Sequence, residues 1–445
     1  MKIEISDNKK WMQSFTLKIA LLGILGIFLL IPLEMIKSII KERQKTSEDI
    51  KKEIAWQWAG QQTVTGPVLN IPVLVIPLKS NSDPHRSVFH IMPETLGISG
   101  SVETEKRHKS IYQSVVYTAD LNLSGEFIIP EILPGENVEI LWNEAYYSLG
   151  ISDNRGVKGE VKLLTDSSEI EAVPGLKDSE IFSSGITFPA SIKSNDKSIS
   201  YSLALKLSGS EGLNFSPVGK TTKVNLHSPW DSPGFTGSFL PVARSINDAG
   251  FNAEWAVTNL NRNFPQYWSG NDYNPSNEFF GVDFILQVDH YQKSLRSAKY
   301  GILFIALTFL ALLFTELAGR DRLHVFHYLL VSLALVLFFS LLNALSEHIG
   351  FNYAYLISSA STIILLTVFL RSLIGKYRPV LLLSGLLVFL YAFIFILLTL
   401  NDYAYLAGNI GLFILLAITM RLSVKLRLFT GETGVEIPDQ TNSAK

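Results

Sequence analysis

The sequence predicts a membrane protein with six transmembrane α-helices, one N-terminal and five C-terminal, plus a large, mostly antiparallel β domain outside the cytoplasm. Three observations predict it. Of 445 residues, 47% are hydrophobic and only 18% charged, and the charges crowd into the first two thirds. Apolar runs near the ~20 residues needed to cross a bilayer recur along the chain. The basic residues in the short loops between those runs alternate from side to side.

The first run is Ile19–Leu33, continuing past Glu34 to Met35 and Ile36, with Lys9, Lys10 and Lys18 ahead of it. Bulky and charged residues follow (Ile36, Lys37, Ile39, Ile40, Lys41) where a signal-peptide cleavage site needs small ones, so a retained signal anchor is expected. Five more runs are Tyr300–Thr315, Val325–Leu345, Tyr353–Leu370, Pro379–Leu400 and Tyr403–Met420. Arg320 and Arg322, then Arg371, Lys376 and Arg378, then Arg421, Lys425 and Arg427 mark alternate loops and the tail. The loops Ser346–Asn352 and Asn401–Asp402 hold no Lys or Arg. Positive charge stays inside, so both termini are expected in the cytoplasm. The expected division is 1–18 cytoplasmic, 19–36 anchor, 37–299 outer β-rich domain with a helical lead-in, 300–420 helix bundle and 421–445 cytoplasmic tail.

Within the outer domain, Ile36–Trp58 reads as a polar helix that extends the anchor, and Gly66-Pro67 as the helix-to-strand junction. Val68–Ile76 is short and β-branched, while Ser198–Leu207, Lys223–Leu226, Ala253–Val257 and Val282–Val288 alternate apolar with polar residues. Turn-forming clusters separate them, the pattern of an antiparallel β domain of sandwich type.

Absences narrow the chemistry. The chain has no cysteine, so it has no disulfide, thiolate metal ligand or cysteine nucleophile. A net charge of −2 gives no broad basic surface for nucleic acid. No GxSxG, Walker, GxGxxG or HExxH pattern occurs, which leaves a membrane hydrolase least favoured and predicts no enzyme, cofactor or metal. His324 and His327 sit three apart at a helix mouth without a third ligand, and capping accounts for them better than metal binding. Asp231 and Asp289 read as solvated carboxylates.

Two groups are candidate binding residues. Trp230, Phe235 and Phe239 lie in the proline-stiffened segment Ser228–Pro241, with Trp255 beyond it. They suit a ligand- or partner-binding loop and equally a plug over the end of a sandwich. Lys293, Arg296 and Lys299 share one helical face beside the second apolar run, against the positive-inside pattern, and lipid head groups or a solvated, snorkelling face both account for them. Membrane lipids, and another envelope protein, are the expected partners. Tyr353-Ala354-Tyr355-Leu356 recurs as Tyr403-Ala404-Tyr405-Leu406, so a transporter or lipid-handling protein built on a duplicated hairpin over 325–420 is the alternative to a binding or bracing role. Against an ion-coupled carrier, the interiors of the last four runs hold no Asp, Glu, Lys or Arg.

Three stretches are too patterned to be generic: Trp58 to Pro72 (WAGQQTVTGPVLNIP), Pro217 to Trp255 with the SPWDSPGFTGSFLP core, and Val288 to Glu316 with VDHYQKSLR. With Glu42-Arg43-Gln44 they resemble the CreD family of bacterial inner-membrane proteins over about residues 10 to 425. The resemblance implies an inner-membrane location with a periplasmic outer domain, a role in cell-envelope integrity, control by an envelope- or metabolism-responsive two-component system, and altered tolerance to colicins and other envelope insults. It implies no catalytic residue.

Overall fold

The computed structural model describes residues 17–76, 83–131, 138–166, 168–178, 180–190, 192–286, 290–319, 323–375, 377–400 and 404–425. Two compact units divide it: Thr46–Gln287, and the chain on either side. The division falls at 45/46 and 287/288. The stretch 37–45 and the helix His290–Lys299 group with the helical unit.

In the helical unit, the first helix spans Leu17–Gln57, with its last turns in the β unit. Leu17–Gln57, Val325–Ile349, Phe351–Ile374 and Tyr377–Thr399 are long and apolar enough to cross a membrane, by length and composition. The predicted run Tyr300–Thr315 becomes Gly301–Gly319, bent by 41° from the polar helix His290–Lys299, and counts as a fifth span only if that pair is one crossing. The last run forms Ala404–Lys425. The loop cations Arg320, Arg322, Lys376 and Arg427, and Tyr403 of the second YAYL, lie outside the described residues. Glycine ends two helices where L side chains are strained: Gly350 (φ 76°) lies between Val325–Ile349 and Phe351–Ile374, and Gly375 (φ 68°) caps the latter. Gly301 lets the first helix come close, since a Cβ there would meet Leu33 at 2.6 Å. Phe304 packs against Phe338, Phe339 and Tyr391 at 4.7–6.0 Å between ring centres.

The β unit holds two mixed sheets. The first runs Val173–Pro174, Gly185–Pro189, Tyr146–Ile151, Gln62–Val75, Gly212–Phe215, Phe280–Phe284, Pro233–Gly237, with His85–Ile91, Val138–Ile140 and Tyr267–Ser269 alongside. The second runs Ala243–Asn247, Gly250–Thr258, Thr221–Ser228, Thr95–Lys109, Tyr112–Ile128, Ser198–Ser210, Lys162–Thr165, Glu169–Glu171, with Val157–Lys158 attached. Among the described residues the pairings are antiparallel, except Gln62–Val75 with Gly212–Phe215 and Thr221–Ser228 with Thr95–Lys109. Alternation along Ser198–Ser210 and Thr221–Ser228 turns every second side chain inward, and residues of both sheets join one hydrophobic core. Gln62–Val75 is buried almost throughout, as a central strand should be.

That strand starts earlier than the sequence suggested. Gly66-Pro67, a cis peptide, lies inside it and not at the helix-to-strand junction. The register on Tyr146–Ile151 shifts between Thr65 and Val68, the mark of a bulge. Gly66 has φ 120°, and a Cβ there would sit 3.0 Å from the Ser148 carbonyl oxygen. The predicted Val282–Val288 strand stops at Phe284, and Val288 lies outside the described residues.

Candidate functional site

The first patterned stretch builds a joint. The helix Leu17–Gln57 ends where Ala59 and Gly60 take φ values of 61° and 62°, and the Gly60 N–H donates to the Ala55 carbonyl at 2.8 Å. Gln62, fully buried, donates its amide to the Ala59 and Asp153 carbonyls, both at 3.1 Å, and accepts from the Asp153 N–H at 3.2 Å. The Arg155 guanidinium lies 4.0 Å from the Trp56 ring centre and Arg107 lies 5.1 Å from that of Trp58. Lys109 pairs with Glu53. Arg155 also hydrogen-bonds Asp153, which holds that carboxyl below its usual range.

The outgoing chain returns to the same place. Ser210–Gly212 carries the backbone from one sheet to the other, with Glu211 in the left-handed region at φ 66°. The Phe284 N–H donates to the Glu211 carbonyl at 2.7 Å, and the Glu211 N–H to the Val115 carbonyl at 3.1 Å. Here a cavity of about 250 Å³ opens, with Lys51, Gln61, Ser114, Glu211 and Asp283 on its polar side and Ile285 among its apolar lining. Lys51 belongs to the incoming helix and Ile285 to the segment leaving the last strand, so both links of the β unit border one cavity. Gln61 donates to Asp283 at 2.9 Å. Burial, then the neighbouring Glu211 charge, pushes the Asp283 carboxyl upward against the opposing pull of Gln61.

A second polar cluster lies deeper. His90 has a fully buried side chain, with Nδ1 2.7 Å from Asn70 Oδ1 and Nε2 3.2 Å from Glu180 Oε2. Asn70 donates to Ser148 at 2.7 Å, and the Trp268 ring packs against the imidazole. Burial lowers the His90 pKa to about 4, opposed by Asp178, and it raises both the Asp178 and Glu180 carboxyls. His90 is therefore neutral at pH 7, so its single N–H donates to one of the two facing oxygens, Asn70 Oδ1 or Glu180 Oε2, and its contact with Glu180 is not an ion pair.

The sequence-predicted residues fall elsewhere. Trp230 is 8% and Trp255 0% exposed; both belong to the core, with Phe235 and Phe239 partly buried against it. Pro233–Gly237 is a strand, not a free loop. Phe235 stacks edge-on to Phe251 and Trp255, and Phe239 to Phe280. The Trp255 Nε1 is buried without a hydrogen-bond partner among the described residues. On His290–Lys299, Arg296 and Lys299 are exposed and Lys293 is half-buried, while Tyr291, Ser294, Ser297 and Ala298 face inward. Asp231 is exposed, and Asp289 lies outside the described residues. His324 caps Val325–Ile349, accepting from the Phe326 N–H at 3.2 Å while His327 accepts from the His324 N–H at 3.2 Å. Sequence reasoning missed Lys51, Glu211 and Asp283 as a group; the Gln61-Gln62 pair, followed by a β-run, was the available signal. It also missed that Lys18 pairs with Glu316 at 2.5 Å, with Tyr328 donating to the same carboxylate at 3.0 Å.

The model of the family "Inner membrane protein CreD" matches residues 14–428. The chain belongs to the CreD family. The Inner membrane protein CreD of Escherichia coli (strain K12) is 32% identical over 404 residues, covering 88% of this chain and 88% of its own length. Inner-membrane residence follows for this CreD-family chain, and its apolar helices fit a multi-pass protein. Among solved structures, an M1 zinc metallopeptidase from Deinococcus radiodurans matches 43% of this chain and 42% of its own, with 9% identity and a TM-score of 0.21. A two-domain M1 zinc metallopeptidase matches 43% of each chain, with 7% identity and a TM-score of 0.19. At those scores neither bears on the fold or chemistry of the CreD-family chain.

Proposed function

We propose that this chain is a non-enzymatic inner-membrane protein that supports cell-envelope integrity: its β unit binds an envelope component and its helices couple that event to the membrane. In this reading the helices cross six times, both termini are cytoplasmic and the β unit is periplasmic. The observation that carries it is the joint, where the incoming helix and the outgoing segment border one polar cavity, so an occupant touches both links at once. The test is complementation of cells lacking the chain. Asp283→Asn and Lys51→Met should reach the membrane in normal amounts yet leave detergent and colicin tolerance at the level of the deletion. Full tolerance with both variants would contradict the reading.

A second reading, solute or lipid handling by the bundle, draws on buried polar atoms that have no hydrogen-bond partner among the described residues: Ser297 Oγ, Asn343 Oδ1 and Ser358 Oγ. Head-group or solute exchange in proteoliposomes that is lost in Asn343→Leu would favour it over the first.

A further inference from the structure

The cavity at the joint brings charged side chains of both signs together. Asp283 and Glu211 stand near enough for repulsion to act between them, and Lys51 lines the same space. Among the described residues Lys51 forms no ion pair with either carboxylate, although both are at hand. Among the described residues, the side-chain hydrogen bond to Asp283 comes from the Gln61 amide.

These features put two carboxylates that accept and one ammonium that donates around one cavity. A bare metal cation satisfies the carboxylates but is repelled by Lys51, and no cluster of three metal-ligating side chains occurs among the described residues. A simple anion is repelled by Asp283 and Glu211. A molecule with an ammonium at one end and a carboxylate at the other satisfies both. At about 250 Å³, the cavity falls below the usual range for drug-sized ligands and admits something the size of an amino acid or dipeptide.

We propose that the cavity between Lys51, Ser114, Glu211 and Asp283 binds a small zwitterionic amino compound, a free amino acid or the end of a short peptide, with its ammonium on Asp283 and Glu211 and its carboxylate on Lys51. The inference rests on the β unit's being the binding module. The apolar side of the cavity, at Val115, Phe284 and Ile285, takes the ligand's carbon atoms.

Calorimetry on the purified full-length protein tests it with three probes: alanylalanine (both poles), alaninamide (ammonium only) and propionate (carboxylate only). Alanylalanine should bind, and each one-pole probe should bind roughly tenfold more weakly or worse, since each loses charge-assisted hydrogen bonds. Lys51→Met should erase the advantage of alanylalanine over alaninamide, and Asp283→Asn should weaken both. Equal affinity of alanylalanine and alaninamide for the unaltered protein overturns the zwitterion assignment. Silence from all three probes overturns the site; if Asp283→Asn cells still lose tolerance, the proposed function stands without this ligand.

Discussion

His90 shows what a single residue contributes. An unfolded histidine takes a proton near its model value of 6.5, whereas the buried one waits until about 4. Between those values the unfolded chain binds a proton that the folded chain refuses, so stability is lost as pH falls from 6.5 toward 4. The effect is on the order of 3 kcal/mol for a shift of this size. Asp178 and Glu180 face the same ring with raised pKa values and act in the opposite sense, since the folded state protonates them first. The difference between proteins isolates the histidine: melting temperatures between pH 7 and 4 should fall less steeply in His90→Gln, and superimposable slopes would contradict the assignment. Trp230 makes a second case. Its Nε1–H donates to the Ser232 carbonyl at 3.0 Å and its ring meets Phe284 edge-on. Trp230→Ala should therefore cost about 3–5 kcal/mol, as aromatic truncations in cores do. Protein abundance and melting temperature should drop together with tolerance. Normal abundance with lost tolerance would restore the binding role that the aromatic, proline-rich segment suggests.

At the scale of elements, the helix Leu17–Gln57 is fastened within the helical unit by Lys18, which donates to both Glu316 carboxylate oxygens and to the Leu323 carbonyl. Tyr328 completes the group. Both charged side chains are only 15% exposed, so breaking one partner strands the other in a poorly hydrated place. Lys18→Met or Glu316→Leu alone should destabilise the unit by about 2–4 kcal/mol, and the double variant by less than their sum. Denaturant unfolding of all three variants measures this; strict additivity would mean that the contact carries nothing. The sequence exposed Lys18 as a topology marker and Glu316 as part of a motif, but pairing across a separation of 298 residues is a tertiary fact. The same limit explains the β unit. Strands with clean alternation, such as Ser198–Ser210, were legible because one face is wet and one dry. The long hairpin Thr95–Lys109 and Tyr112–Ile128 was not, because its far half carries Glu103, Glu105, Lys106 and Arg107 and reads as loop. Trp230 and Trp255 were legible as important and not as core, since aromatics mark surfaces and interiors alike.

For the whole molecule, apolar runs, basic loops and the β-rich middle were legible in composition alone, because a bilayer imposes length and charge rules that local sequence must obey. The cavity was not, because Lys51, Ser114, Glu211 and Asp283 come from four separate places in the chain and meet only when the strands register. The account depends on where the β unit lies. The chain has no cysteine, so single ones report cleanly. Ser245 is exposed on the edge strand Ala243–Asn247, which makes Ser245→Cys a better reporter than a change at buried Ser210. The deciding measurement is labelling of intact cells with a membrane-impermeant thiol reagent at Ser245→Cys and at Ser443→Cys. A periplasmic β unit and a cytoplasmic tail predict modification at 245 alone, with 443 reacting only after the membrane is broken; modification at 443 and protection at 245 in intact cells would contradict the account.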